Sequence, residues 1–244
     1  MKNLLFVFLL LPAFALAGGK DTARTGQTYI GLNAGVGLAP ERMISPASNS
    51  IWMDYFEPGY TINLTARAQL FHSQFGLAGK LSFCSNGFDI GKYLALNTPN
   101  VTSTVTSLSY GSFTQFSPMI GISFRHSFGK LAFEARLLGG KEFITLPNSG
   151  IDVKDPPTQP EFTWRQEYIT NPGFDWDAGI GLSYFVCKGL SAMFNIDFLN
   201  GSATYGLTQS KDYINGVNYS YTSSSTAAVA FVSSTLGLCY NYNF

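Results

Sequence analysis

Charge is scarce in this 244-residue chain: Asp, Glu, Lys and Arg together make up 12%, against roughly 25% in an ordinary soluble domain. The fifteen basic and fifteen acidic residues cancel. The cationic surface that nucleic acids require is therefore missing, and DNA and RNA are not expected partners. Cysteine occurs three times, as Cys84, Cys187 and Cys239. An odd count does not make a disulfide framework, and the thiols read as small apolar filler. No stretch of the chain beyond residue 17 approaches the roughly 20 apolar residues of a membrane-spanning helix, so any membrane role has to use strands.

The early residues are different. Lys2, the apolar run Leu4 to Leu11, Pro12 and then Ala15-Leu16-Ala17 before Gly18-Gly19 have the layout of a secretory signal peptide with a small-x-small cleavage site. The expected organisation is a signal over residues 1–17, a short periplasmic segment over 18–28 and one β-domain over 29–244.

Glycine, phenylalanine and tyrosine are abundant, at 25, 21 and 13 residues, and apolar and polar residues alternate along the whole mature chain. Alternation with period two puts successive side chains on opposite faces of a sheet. The cleanest case is Tyr60 to Leu70, where Tyr60, Ile62, Leu64, Ala66, Ala68 and Leu70 face Thr61, Asn63, Thr65, Arg67 and Gln69. About eight such segments occur, beginning near Tyr29, Tyr60, Phe75, Phe116, Leu131, Phe174, Leu190 and Ala227.

Alternation alone does not say whether the apolar face meets a core or lipid. The connections do: His72 to Gln74, Ser127 to Lys130 and Cys187 to Gly189 are tight turns, whereas about 20 to 30 residues separate the other strand pairs. Short turns at one end and long loops at the other are the pattern of outer-membrane barrels. The polar faces are rich in Gly, Ala and Ser, as a narrow lumen needs, and aromatic residues mark the strand ends. The final strand carries Tyr240-Asn241-Tyr242-Asn243-Phe244, and a barrel in lipid must close on such a strand to satisfy its backbone. The expected fold is an all-β, eight-stranded antiparallel transmembrane barrel.

In this architecture the sequence resembles the small outer-membrane barrels of the OmpA and OmpX type, and the outer-membrane barrel domain common in Bacteroidota. The resemblance covers about Tyr29 to Phe244 and rests on Phe133-Glu134-Ala135-Arg136, on Gly179-Ile180-Gly181-Leu182-Ser183-Tyr184-Phe185 before a tight turn, and on the terminal aromatic residue. It implies residence in the outer membrane, with periplasmic termini, long extracellular loops and contact with lipids and lipopolysaccharide. It also implies that Tyr240, Tyr242 and Phe244 are read by the barrel-insertion machinery. The peptidoglycan-binding domain that follows OmpA-type barrels is not expected.

On the expected lumen faces stand four bases, Arg67, Lys80, Arg125 and Arg136, and four acids, Glu134, Asp175, Asp177 and Asp197. Isolated buried ions are costly, so charges in an eight-stranded lumen must pair. Arg67 and Lys80 lie roughly opposite the strands of Asp177 and Asp197, and salt bridges between them would plug the barrel. The alternative is a narrow polar pore. Asp175 and Asp177 share a face because they are two residues apart, which reads as structural rather than as an acid/base or cation site.

His72 and His126 fall at the short-turn end, away from the outer mouth where an enzymatic barrel would need them. No nucleophile-base constellation, phosphate loop or metal-spaced cluster is visible, so a catalytic residue, cofactor or metal is not expected. The loops offer Trp52, Tyr55, Phe56 and Trp164 as contact candidates or girdle residues, the longest being Glu142 to Gly173. Asn215-Gly216 predicts a hairpin by which the last two strands project as a ribbon. Asn63, Asn100 and Asn218 begin N-glycosylation patterns that a bacterial barrel would not use. Asp21-Thr22-Ala23 resembles a short O-glycosylation motif, with Thr22 as acceptor. The expected role is non-enzymatic: structural, adhesive or as part of a larger outer-membrane complex. A channel and an outer-rim enzyme are the alternatives.

Overall fold

The computed structural model describes residues 28–38, 57–70, 73–87, 89, 104–146, 148–154, 162–187, 189–213 and 218–242. They form ten strands: β1 (Thr28–Leu38), β2 (Gly59–Gln69), β3 (Phe75–Asn86), β4 (Thr104–Tyr110), β5 (Phe113–Phe128), β6 (Leu131–Thr145), β7 (Ser149–Lys154), β8 (Phe162–Cys187), β9 (Leu190–Tyr213) and β10 (Asn218–Tyr242). Eight of them, all but β4 and β7, pair antiparallel in the order β1-β2-β3-β5-β6-β8-β9-β10. The ring closes through β1 and β10, in register from Thr28↔Tyr242 to Leu38↔Val232. Closure leaves no sheet edge within the barrel wall, which lipid demands because nothing there can satisfy a free backbone group.

The period-two pattern decides which side each residue faces. Every barrel strand turns large apolar side chains outward, among them Leu32, Leu64, Leu77, Ile120, Leu137, Leu182, Ile196 and Leu236. Asn33, Asn63, Lys80, Arg125, Arg136, Asp177, Asp197 and Thr235 are buried inside. A soluble protein rarely exposes more than a few hundred Å² of contiguous apolar surface. A continuous apolar belt around a charged interior is the inverse of a soluble fold, and the barrel is transmembrane. The eleven residues of β1, at about 3.3 Å each and tilted roughly 40°, span about 28 Å, close to the ~25 Å apolar band of such barrels. Exposed Phe75, Phe128, Tyr184, Tyr240 and Tyr242 ring the end that carries the short turns, as an interfacial girdle does. Tyr240 and Tyr242 meet edge-to-face at 4.8 Å between ring centroids.

The tight turns stand where the sequence places them. Gly129 and Gly189 occupy two of them with φ of 60° and 84°, a conformation that a side chain would strain. The far end departs from expectation. The stretch from Glu142 to Gly173, read as the longest loop, is mostly sheet: β6 runs on to Thr145, β7 pairs with both β4 and β8, and β8 begins at Phe162. Strands β8, β9 and β10 are 26, 24 and 25 residues long, about twice the length of β1. The excess rises beyond the belt as the expected β9–β10 ribbon, which β8, β7 and β4 widen into a sheet. Sequence alternation misses β4, β7 and the upper part of β8, because beyond the belt neither face of a strand need be apolar.

Candidate functional site

The lumen is the site, and its contents follow from strand order. Eight strands enclose a space that side chains can fill, and strands four places apart in the ring stand opposite one another. Lys80 on β3 is thus opposite Asp197 on β9, and Tyr29 on β1 is opposite Glu134 on β6. Both pairs meet. Lys80 Nζ lies 3.0 Å from Asp197 Oδ2 and also contacts Asp177 Oδ2. The Tyr29 hydroxyl donates to Glu134 Oε1 at 2.8 Å.

Between these two ties the charges form a ladder. Arg136 Nη2 donates to Asp197 Oδ1 at 2.6 Å, and its Nη1 donates to Asn195 Oδ1 at 3.2 Å and lies 4.0 Å from Glu134 Oε1. Arg125 Nη1 donates to Glu134 Oε2 at 3.3 Å, and its guanidinium sits 4.8 Å over the Tyr29 ring. All of these side chains are almost fully buried. In so dry a place each ion must have a partner, since breaking a buried pair typically costs about 3–5 kcal/mol. The ladder has room because Gly179 on β8 lacks a side chain: a Cβ there would collide with Asp197 Oδ1 and stand 2.7 Å from Arg136 Nε.

Arg67, named by the sequence as a partner for the opposite acids, is engaged nearer its own wall. Its Nε donates to Ser123 Oγ at 3.0 Å and its Nη2 to the Gln74 carbonyl at 2.8 Å. Asp175 stands apart from the ladder, where Gln115 Nε2 donates to it at 3.4 Å.

The expected balance of four acids and four bases is corrected by Glu142, which is buried inside the barrel as a fifth acid. Glu142 continues the inward series Glu134, Arg136, Leu138 and Gly140, so periodicity carried far enough would have found it. The Gly139-Gly140 pair reads as a break, which hid it. Tyr29 and Gln115 were also missed, because neither residue type announces an ionic partner. An apolar cluster that includes Phe113, Met119, Leu138, Ile144, Leu199 and Phe231 fills further interior space, with the Phe113 and Phe231 rings 5.4 Å apart.

Of the other candidates, Tyr240 and Tyr242 lie exposed on the outer wall, and Phe244 lies outside the described residues. Trp164 belongs to β8, opposite Ile151 of β7 and Lys211 of β9, and so is not a loop residue. Trp52, Tyr55, Phe56 and Thr22 lie outside the described residues. His126 is partly buried, its Nδ1 2.8 Å from Gln74 Nε2. Cys84 and Cys239 are buried inside, Cys187 is exposed, and all three are free thiols.

No protein-family model matches the chain, and no curated protein matches it by sequence. Solved structures of similar architecture include a major outer membrane protein from Thermus thermophilus, at 10% identity, covering 87% of this chain and 99% of that one with a TM-score of 0.43. The outer membrane protease OmpT from Escherichia coli is 8% identical, with 91% and 99% covered and a TM-score of 0.43. The outer membrane protein AlkL is 11% identical, with 93% and 95% covered and a TM-score of 0.41. The likeness is one of strand architecture and carries nothing about activity.

Proposed function

We propose that the chain is a non-enzymatic outer-membrane barrel with a plugged lumen, serving a structural, adhesive or assembly role through the sheet it raises beyond the membrane. The observation that carries this reading is the ladder from Lys80 to Tyr29, which ties opposite walls of the barrel twice and is almost wholly buried. With the interior crossed by the ladder and packed by the apolar cluster, the surface left for a partner is the extension of β4 and β7 to β10.

In this reading residues 1–17 direct export, the termini face the periplasm and the extended sheet faces outward. The outer wall contacts lipid and lipopolysaccharide, and the insertion machinery reads the last strand with its Tyr240, Tyr242 and Phe244. Planar-bilayer recording of the refolded protein tests the proposal. A plugged barrel shows no steady conductance, whereas a stable open state in the wild-type protein would reject it in favour of a channel.

A further inference from the structure

Beyond the ladder the lumen holds a second polar group. Glu142 of β6 and Asp175 of β8 are fully buried, as is Ser117 of β5, and Gln115 of β5 is 3% exposed. Gln115 Nε2 donates to Glu142 Oε1 at 2.6 Å and reaches Asp175 Oδ2 at 3.4 Å, so one amide bridges two carboxylates. Gln115 Nε2 also reaches Ser117 Oγ at 3.4 Å. Among the described residues neither acid reaches a cationic side chain. Glu142 Oε2, Asp175 Oδ1 and Gln115 Oε1 have no hydrogen-bond partner among the described residues.

Two carboxylates sharing one neutral amide, out of water, repel each other and lack the counter-charge that buried ions require. The neighbouring ladder offers Asp175 only the field of Lys80 at a distance, because its cations are in contact with Asp177, Asp197 and Glu134. The missing side chain of a glycine makes room for one of the carboxylates. Glu142 Oε2 lies over Gly201 of β9, where a Cβ would collide with it.

We propose that Glu142, Asp175, Gln115 and Ser117 form a binding site for one hard divalent cation inside the barrel, Ca²⁺ foremost. The donors are all oxygens: two carboxylates, an amide carbonyl once the Gln115 amide turns over, and a hydroxyl. Such a set selects hard ions over thiophilic or imidazole-seeking metals. Ca²⁺ accepts irregular mixed oxygen shells, whereas Mg²⁺ demands near-octahedral geometry and keeps several waters. A divalent ion taken between the two carboxylates neutralises both local charges and gives the turned Gln115 carbonyl a partner. The site is independent of whether the barrel conducts.

The experiment is calorimetric titration of Ca²⁺ into the full-length barrel, refolded in detergent with EDTA and then freed of chelator. Because the donors are buried, a parallel sample is refolded with Ca²⁺ and its bound metal counted after desalting. One Ca²⁺ per barrel is expected in the wild type, with at least tenfold weaker binding in Glu142→Gln and in Asp175→Asn. Ca²⁺ should raise the thermal midpoint of the wild type and leave that of Glu142→Gln unmoved. Without Ca²⁺, Glu142→Gln should unfold at or above the wild-type temperature, since it removes the repulsion. If Glu142→Gln does not fold, Asp175→Asn carries the same comparison. Failure of the wild type to take up Ca²⁺ by either route would overturn the proposal, the pair then being neutralised by a proton. Undiminished binding in both variants would overturn it as well.

Discussion

Replacing Lys80 with methionine is the sharpest test of the ladder. Lys80 serves two carboxylates, Asp177 and Asp197, both fully buried on their side chains. Asp197 keeps a second partner in Arg136 at 2.6 Å, whereas Asp177 keeps no cation among the described residues. Most of the loss should therefore come from stranding Asp177, with a destabilisation of about 3–5 kcal/mol for a broken buried pair. Methionine preserves much of the volume, so a cavity adds little. The double variant Lys80→Met with Asp177→Asn removes the stranded charge and should recover most of that loss.

The assay is equilibrium urea unfolding in lipid vesicles, followed by tryptophan fluorescence and by the mobility shift on heating. At about 1.4 kcal/mol per decade, the single variant should lower the folding constant by two to nearly four decades. A single variant within 1 kcal/mol of wild type would show that the contact lies in a wet, screened lumen. A double variant no better than the single would show that Asp177 was not the stranded group. Either result refutes the reasoning.

Tyr29→Phe removes the donor to Glu134 from the opposite wall. It should cost about 1.5–3 kcal/mol, the range for a hydrogen bond to a charged group, while leaving the fold intact by circular dichroism. Gly179→Val places a side chain against Asp197 and Arg136; it should cost about 1–3 kcal/mol by overpacking, in contrast to a near-neutral Val substitution at Gly206, where a Cβ has room. Protease added to intact cells should cut between β7 and β8, over residues 155–161, or between β9 and β10, over residues 214–217. The turns at Gly129 and Gly189 should stay protected, and cleavage confined to those turns would invert the proposed orientation.

Much of the architecture was legible because alternation is a local property. Tyr60 to Leu70 sorts its side chains by face in any sheet, and the tight turns at Gly129 and Gly189 follow from short gaps between such segments. Alternation also assigns Lys80, Arg136, Asp177 and Asp197 to one face, and an apolar opposite face with long loops at one end only marks a barrel. It loses force in runs that are short or lie above the apolar belt, which is why β4, β7 and the upper half of β8 read as loops.

Tertiary structure alone decided who meets whom. Partners across a lumen depend on strand number and register, which bring together residues as far apart in sequence as Tyr29 and Glu134. No periodicity encodes that distance. Closure of eight strands sets β3 opposite β9 and β1 opposite β6, and this makes Lys80 with Asp197 and Tyr29 with Glu134 the cross-ties. The same closure turns Arg67 toward Ser123 and Gln74 and folds Glu142 inward beside Asp175. The charge balance of the lumen was thus a property of the closed ring, because a residue's face is local whereas its partner is set by the circumference.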